Sequence, residues 1–354
     1  MALSKTQEAL LTKLRAVGGG ELGIALNDEI CSYLLAVVVH DLGLQSHFPE
    51  VNRRPPLFFG RQQPHELRLA GVSFLPLYER LLELQRDGDA YFYCLGALHK
   101  ARLKYDRILQ AQPIPTIDQV GPRGLLQYGT LSPAALAGLL LWRKWIYDID
   151  NRAAQETGYI FEPIIAYAIG GISASAQKSP VRRGGSGSGR QVDCLLATGK
   201  RAYEIKLRVT IAASGQGRWQ EELAFPGDCR GSGYTPVLLV LDPTPNPKLT
   251  ELCAAFKKHR GHTYVGEDAW KHLEQQAGPT MGTFLDKYVR EPIQALLRES
   301  PAGLLPRLLI EMVGETIHIR VADEELEVPR EAKEELASGS DELPPDAEDE
   351  VPLP

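Results

Sequence analysis

The chain has 354 residues, of which 44% are apolar and 24% charged, with five cysteines and a formal net charge of −6. That balance is globular, leaves room for more than one domain and excludes wholesale disorder. No apolar run reaches the roughly 18 residues a membrane-spanning helix needs, the polar start argues against a secretory leader, and five scattered cysteines suit neither a disulfide framework nor a paired-ligand zinc site, so a reducing, cytoplasmic compartment is expected.

The first 150 residues read as helix. Leu3, Leu10, Leu11, Leu14 and Val17 form one apolar stripe that stops at three glycines, Gly18 to Gly20. Asn27 is placed to cap a second helix carrying Ile30, Tyr33, Leu34, Val37 and Val38. Residues 47–64 are rich in Pro and Arg and read as loop, and helical patterns return at 76–86 and 89–110. Ser132-Pro133 is a start signal for another helix from Ala134 to about Asp150. This half is expected to form a mostly helical N-terminal region, residues 1–150, serving dimer contacts or embracing a substrate.

From residue 151 the pattern changes. A helical segment passes Glu156 and Glu162 and ends near Ile169. A flexible basic loop at 178–190 follows, then apolar runs at 191–197 and 201–209, a strand at 236–241, a helix at 248–259, a short strand at 262–265 and helices at 267–276 and 280–298. Interleaved strands and helices predict an α/β domain over 151–320, with a mixed central β-sheet flanked by helices. Thirteen Asp or Glu against Arg330 and Lys333 give residues 321–354 a net charge of −11, which leaves +5 for residues 1–320. The end is read as an acidic, disordered tail and the body as mildly basic, a balance that permits a polyanionic partner.

The chemistry is concentrated in residues 191–208. If Thr198-Gly199 is a two-residue turn, paired positions sum to 397 and Asp193 lies across from Glu204. Alternation then puts Val192, Cys194, Leu196, Tyr203, Ile205 and Leu207 on one buried face and Asp193, Glu204 and Lys206 on the other. Opposed residues hold their Cβ atoms ~5 Å apart, and two negative charges at that spacing repel by roughly 3 kcal/mol at an effective dielectric of 20. A cation between them removes that cost. Oxygen ligands beside an ammonium suit Mg²⁺ and hydrolysis at phosphorus, with the lysine positioning the attacking water.

These residues, in the form Val192-Asp193…Glu204-Ile205-Lys206, resemble the PD-(D/E)xK nuclease superfamily, most closely its ApaLI-like restriction endonucleases. Further matching stretches are Gly158-Tyr-Ile-Phe-Glu162, Gly233-Tyr-Thr-Pro-Val237 and Tyr264-Val-Gly-Glu-Asp-Ala-Trp270, so the resemblance covers about residues 151–290. It implies that Asp193, Glu204 and the Ile205 backbone carbonyl hold Mg²⁺, that Lys206 orients water, and that Glu162 is the acidic residue of the helix before the sheet. Pro163 disfavours helical geometry at Glu162, with Glu156 as the fallback. The usual proline before the aspartate is replaced by Val192. The implied activity is type II restriction: sequence-specific hydrolysis of double-stranded DNA to 5′-phosphate ends by a homodimer. A repair or junction-resolving nuclease, or a DNA-binding protein with a dead nuclease core, are the alternatives.

Lys178, Arg182, Arg183, Arg190, Arg208 and Arg218 gather near this site and are read as phosphate contacts, with Gln220 as a base contact. The glycine-rich loop lacks the Gly-Lys-Ser/Thr of a nucleotide-binding P-loop. No nucleotide cofactor and no membrane partner are expected.

Overall fold

Ser4, Asn27 and Ser132 each stand just before a helix, and their side chains accept hydrogen bonds from the backbone N–H groups of Gln7, Ile30 and Ala135. Each cap satisfies a donor that the first helical turn leaves unpaired. The computed structural model describes residues 3–17, 23–207, 216–299 and 305–330. In chain order the first half comprises α1 (Lys5–Arg15), α2 (Asp28–Asp41), α3 (Phe74–Leu84), α4 (Gly88–Ala111), the single turn α5 (Ile117–Val120) and α6 (Pro133–Ala168). No helix among the described residues is long and apolar enough to cross a membrane.

The expected break at residue 150 falls inside α6, which runs unbroken for 36 residues. Pro163 lies inside this helix without ending it. Proline removes one intrahelical hydrogen bond, but Ile164, Ile165, Ala166 and Ala168, which follow it, are all buried in the main core. Their burial holds the helical geometry that the local signal disfavours, and Glu162 keeps its place on the helix.

After α6 come β1 (Ile172–Ala174), β2 (Val192–Leu196), β3 (Arg201–Lys206), α7 (Gln216–Gly231), β4 (Thr235–Val240), α8 (Pro247–Lys258), β5 (His262–Val265), α9 (Glu267–Leu285) and α10 (Glu291–Arg298). The five strands form one mixed sheet in the order β1-β2-β3-β4-β5. β1, β2 and β3 are antiparallel neighbours, while β3, β4 and β5 run parallel through crossovers that contain α7 and α8. Cys194, Leu196, Tyr203, Ile205, Val237 and Leu239 face the main core, which also takes side chains from α1 to α4, α6 and α9. Residues before and after position 150 therefore share one core. On the opposite face Leu195, Ala202, Leu238 and Val240 pack against Phe225 and Cys229 of α7 and Leu249, Leu252 and Phe256 of α8. The second face is thus covered by helices rather than solvated.

The β2–β3 pairs are Cys194–Tyr203, Leu195–Ala202 and Leu196–Arg201, the register the sequence predicts. The Lys200 N–H donates to the Ala197 carbonyl across Thr198-Gly199, and Gly199 has φ of 79°, which glycine takes without steric cost. Val192 departs from expectation. Against β1, Ile172 pairs with Leu195 and Ala174 with Val192, so β2 spends one extra residue over this span. That bulge moves Val192 out of the face of Cys194 and into the cluster of Leu195 and Ala202.

The basic loop is an ordered hairpin, not a flexible segment. The N–H groups of Arg190 and Arg183 donate to the carbonyls of Val181 and Ser188, and the Gly184 N–H donates to Asp228 of α7. Beyond α10, β6 (Leu308–Val313), β7 (Thr316–Val321) and β8 (Glu324–Pro329) form a second, antiparallel sheet. Its Ile317 and Val328 pack on Trp145 of α6. The stretch read as the start of a disordered tail is therefore partly strand, and the rest of that tail, 331–354, lies outside the described residues.

Candidate active site

β3 alternates Tyr203 and Ile205 into the core with Glu204 and Lys206 onto the side of α7, at the C-terminal end of the strand. In an open α/β sheet that end is where ligands bind. Asp193 sits at the bulge of β2. Its Oδ2 accepts the Ile205 N–H at 2.7 Å, so a side chain takes a donor that a longer ladder would have paired with backbone. Its backbone carbonyl accepts the Ser173 hydroxyl at 2.8 Å. Both ends of the residue are thereby fixed.

Burial pushes the Asp193 carboxyl well above the usual carboxylate range, and the nearby Glu204 and Glu162 charges reinforce that shift. The Ile205 N–H and the Lys206 ammonium act against it without cancelling it. Lys206 Nζ lies 3.1 Å from Glu204 Oε1 and 3.4 Å from Glu222 Oε1, with all three side chains about four-fifths buried. Burial alone pulls the ammonium pKa down, yet Glu204, Glu222 and Asp193 together hold it above its ordinary value. The lysine is therefore a fixed cation.

Asp193, Glu204, Lys206 and Glu162 thus meet at one place, from β2, β3 and α6. Glu222 of α7 was missed as a candidate. Its signal was the run Trp219-Gln-Glu-Glu222 after the second strand, but only the packing of α7 on the sheet selects Glu222 over Glu221, which pairs instead with Arg183 at 2.6 Å.

The basic set divides. Arg190 is buried, its guanidinium 2.6 Å from Asp228, bonded to the Glu221 carbonyl and 5.3 Å from the Phe225 ring centre. Those partners consume its donors, so its expected role as a phosphate contact is corrected to a structural one. Arg183 is held by Glu221, while Lys178, Arg182 and Gln220 are exposed. Arg208 lies outside the described residues, as does the side chain of Arg218.

Two carboxylates on adjacent strands, a third on α6 and a backbone strand edge form an all-oxygen donor set with excess negative charge. Such a set fits a hard divalent cation that keeps several of its own waters. The set is open: among the described residues, the one trio of His, Cys, Asp or Glu whose ligand atoms all lie within 4.8 Å of one another is His318, Glu325 and Glu327 on the small sheet. There Glu325 is already engaged by His318 at 2.8 Å and by Arg320 at 3.5 Å.

A family model described as ApaLI-like restriction endonuclease matches residues 72–290. The chain belongs to that family. The match holds every residue of the candidate site and begins within the helical first half, so α3, α4 and α6 are part of the ApaLI-like region, which is larger than the 151–290 expected. A relative, the type II restriction enzyme ApaLI of Acetobacter pasteurianus, is 56% identical over 218 residues, covering 60% of this chain and 58% of that protein. The chain thus matches under two thirds of its relative's length. No solved structure matches. The small sheet with His318 lies outside the family region.

Proposed function

We propose that the chain is a type II restriction endonuclease that hydrolyses double-stranded DNA at a specific sequence with Mg²⁺, leaving 5′-phosphate and 3′-hydroxyl ends, and that it works in the cytoplasm as a homodimer. One observation carries this reading: a buried lysine is held between Glu204 and Glu222 beside an acid, Asp193, whose charge is disfavoured by burial and by two neighbouring carboxylates. A stable protein gains nothing from such a cluster unless a cation is bound there in use.

Asp193, Glu204 and the Ile205 carbonyl would hold the metal, with Glu162 close by. Bound there, a divalent ion neutralises the charge that develops on the phosphate. Lys206 orients the attacking water by donating to it, and its pairing with Glu204 and Glu222 fixes the direction of that donation. The water oxygen adds to phosphorus as the bond to the 3′ oxygen breaks, and the leaving oxygen takes up a proton. Lys178, Arg182 and Gln220 line the exposed approach and would meet the DNA backbone and bases.

The test is incubation of purified protein with phage DNA and Mg²⁺, followed by sequencing of the fragment ends. Ends at one recurrent sequence are expected, and scattered ends would favour a repair nuclease. Asp193→Ala and Lys206→Ala should each abolish cleavage while DNA binding, read by mobility shift, stays largely intact. Undiminished cutting by both variants would refute the site.

A further inference from the structure

Between α5 and α6 the chain makes an excursion, residues 121–131, that packs on α6 with very little core. Gly124 lies against Leu136 and Leu140, where an added Cβ would come within 2.8 Å of a Leu140 methyl. The cluster beneath holds only Val120, Leu136 and Leu140, with Leu141 partly buried beside them. The residues after Gly124 turn outward: Leu125 is 78% exposed, Leu126 96% and Tyr128 72%. Leu131, Leu139 and Ile146 add further exposed apolar surface. Arg143 Nη1 donates to Gln127 Oε1 at 3.2 Å, which ties the excursion to the face of α6 that carries Leu139 and Ile146.

Together these six side chains leave on the order of 700 Å² in water, more than the roughly 300–600 Å² of the largest apolar patch on a typical monomer and near the ~800 Å² that each partner contributes to a stable interface. The patch is poor in charge. From 121 to 131 the one charged residue is Arg123, whereas DNA-binding surfaces depend on many Lys and Arg contacts to phosphate. The surface matches a protein partner.

We infer that this face docks a second copy of the same chain, as a two-fold interface in which each Leu125–Leu126 pair meets its counterpart. The inference rests on the nuclease reading in one respect: a duplex has two strands, and the described residues of one chain hold a single site of this kind. A symmetric pair supplies the second site.

The experiment is sedimentation equilibrium of the full chain without DNA, comparing the wild type with Leu126→Glu and with Leu125→Glu/Leu126→Glu. These positions are in water in the single chain, so circular dichroism and melting should be unchanged. The wild type should sediment as a dimer at micromolar concentration. The variants should dissociate at least about 100-fold more readily, because each would bury unpaired carboxylates against apolar side chains. A monomeric wild type, or variants that remain dimeric, would overturn the inference. Variants that stay dimeric but lose DNA in a mobility shift would place nucleic acid on this face instead. Since no DNA enters the sedimentation measurement, a failure of the nuclease reading leaves its outcome intact. If that reading holds, the monomeric variants should nick supercoiled plasmid with little linear product.

Discussion

Replacing Asp193 by Asn should stabilise the metal-free protein while removing its metal response. The amide keeps an oxygen for the Ile205 N–H, so the hydrogen bond that fixes residue 193 survives. What disappears is a buried negative charge facing Glu204 and Glu162. At a cross-strand spacing of about 5 Å, one such repulsion is worth roughly 3 kcal/mol at an effective dielectric of 20. Lys206 offsets part of it, leaving an expected gain of about 1–3 kcal/mol, or on the order of 2–6 °C in melting temperature. The sign with pH follows from proton binding. The folded-state pKa of Asp193 is raised above the unfolded one, so the wild type is relatively most stable at low pH and loses that stability as pH rises through the raised value. The Asn variant's advantage should therefore be near zero at acid pH and largest at about pH 8. Added Mg²⁺ should reverse the order, because the wild type gains about 2.7 kcal/mol at a hundred times its dissociation constant and the variant does not. The assay is urea unfolding in EDTA and in Mg²⁺ across a pH series. An Asn variant no more stable than wild type at about pH 8 in EDTA, or an advantage independent of pH, would refute the electrostatic account.

Arg190→Ala should cost roughly 3–5 kcal/mol in urea unfolding, because it strands the nearly buried Asp228 carboxylate; unchanged stability with weakened, less salt-sensitive DNA binding would restore it to the phosphate contacts. Glu222→Gln should lower kcat for DNA cleavage by roughly 10- to 100-fold with KM little changed, because it frees Lys206 without touching the DNA surface; a loss confined to melting temperature would reduce Glu222 to a structural role.

Local rules carried much of the reading because they act over a few residues. The caps at Asn27 and Ser132, the Thr198-Gly199 turn and the alternation along residues 191–207 determined the helix starts, the hairpin register and the opposition of Asp193 to the Glu204 strand before any packing was considered. The same rules put Glu162 on a helix and warned against it because of Pro163. Burial of the residues after Pro163 outweighed one lost hydrogen bond, and the warning was overridden.

The misreadings share a cause. Charge and glycine content at 178–190 look the same in a flexible DNA-binding loop and in a hairpin stapled to a helix, and only the approach of Asp228 separates them. Nothing local marks residue 150 as helix interior, since the core that holds α6 straight draws on both halves of the chain.

The amino-acid sequence by itself determined the reactive pair of strands, their register and the oxygen-and-ammonium chemistry of Asp193, Glu204 and Lys206, because those depend on alternation and turn geometry within sixteen residues. Only the tertiary structure decided that Glu222 shares the lysine, that Arg190 does not face solvent and that the acidic end begins as a strand, because each is settled by which distant helix or strand packs alongside.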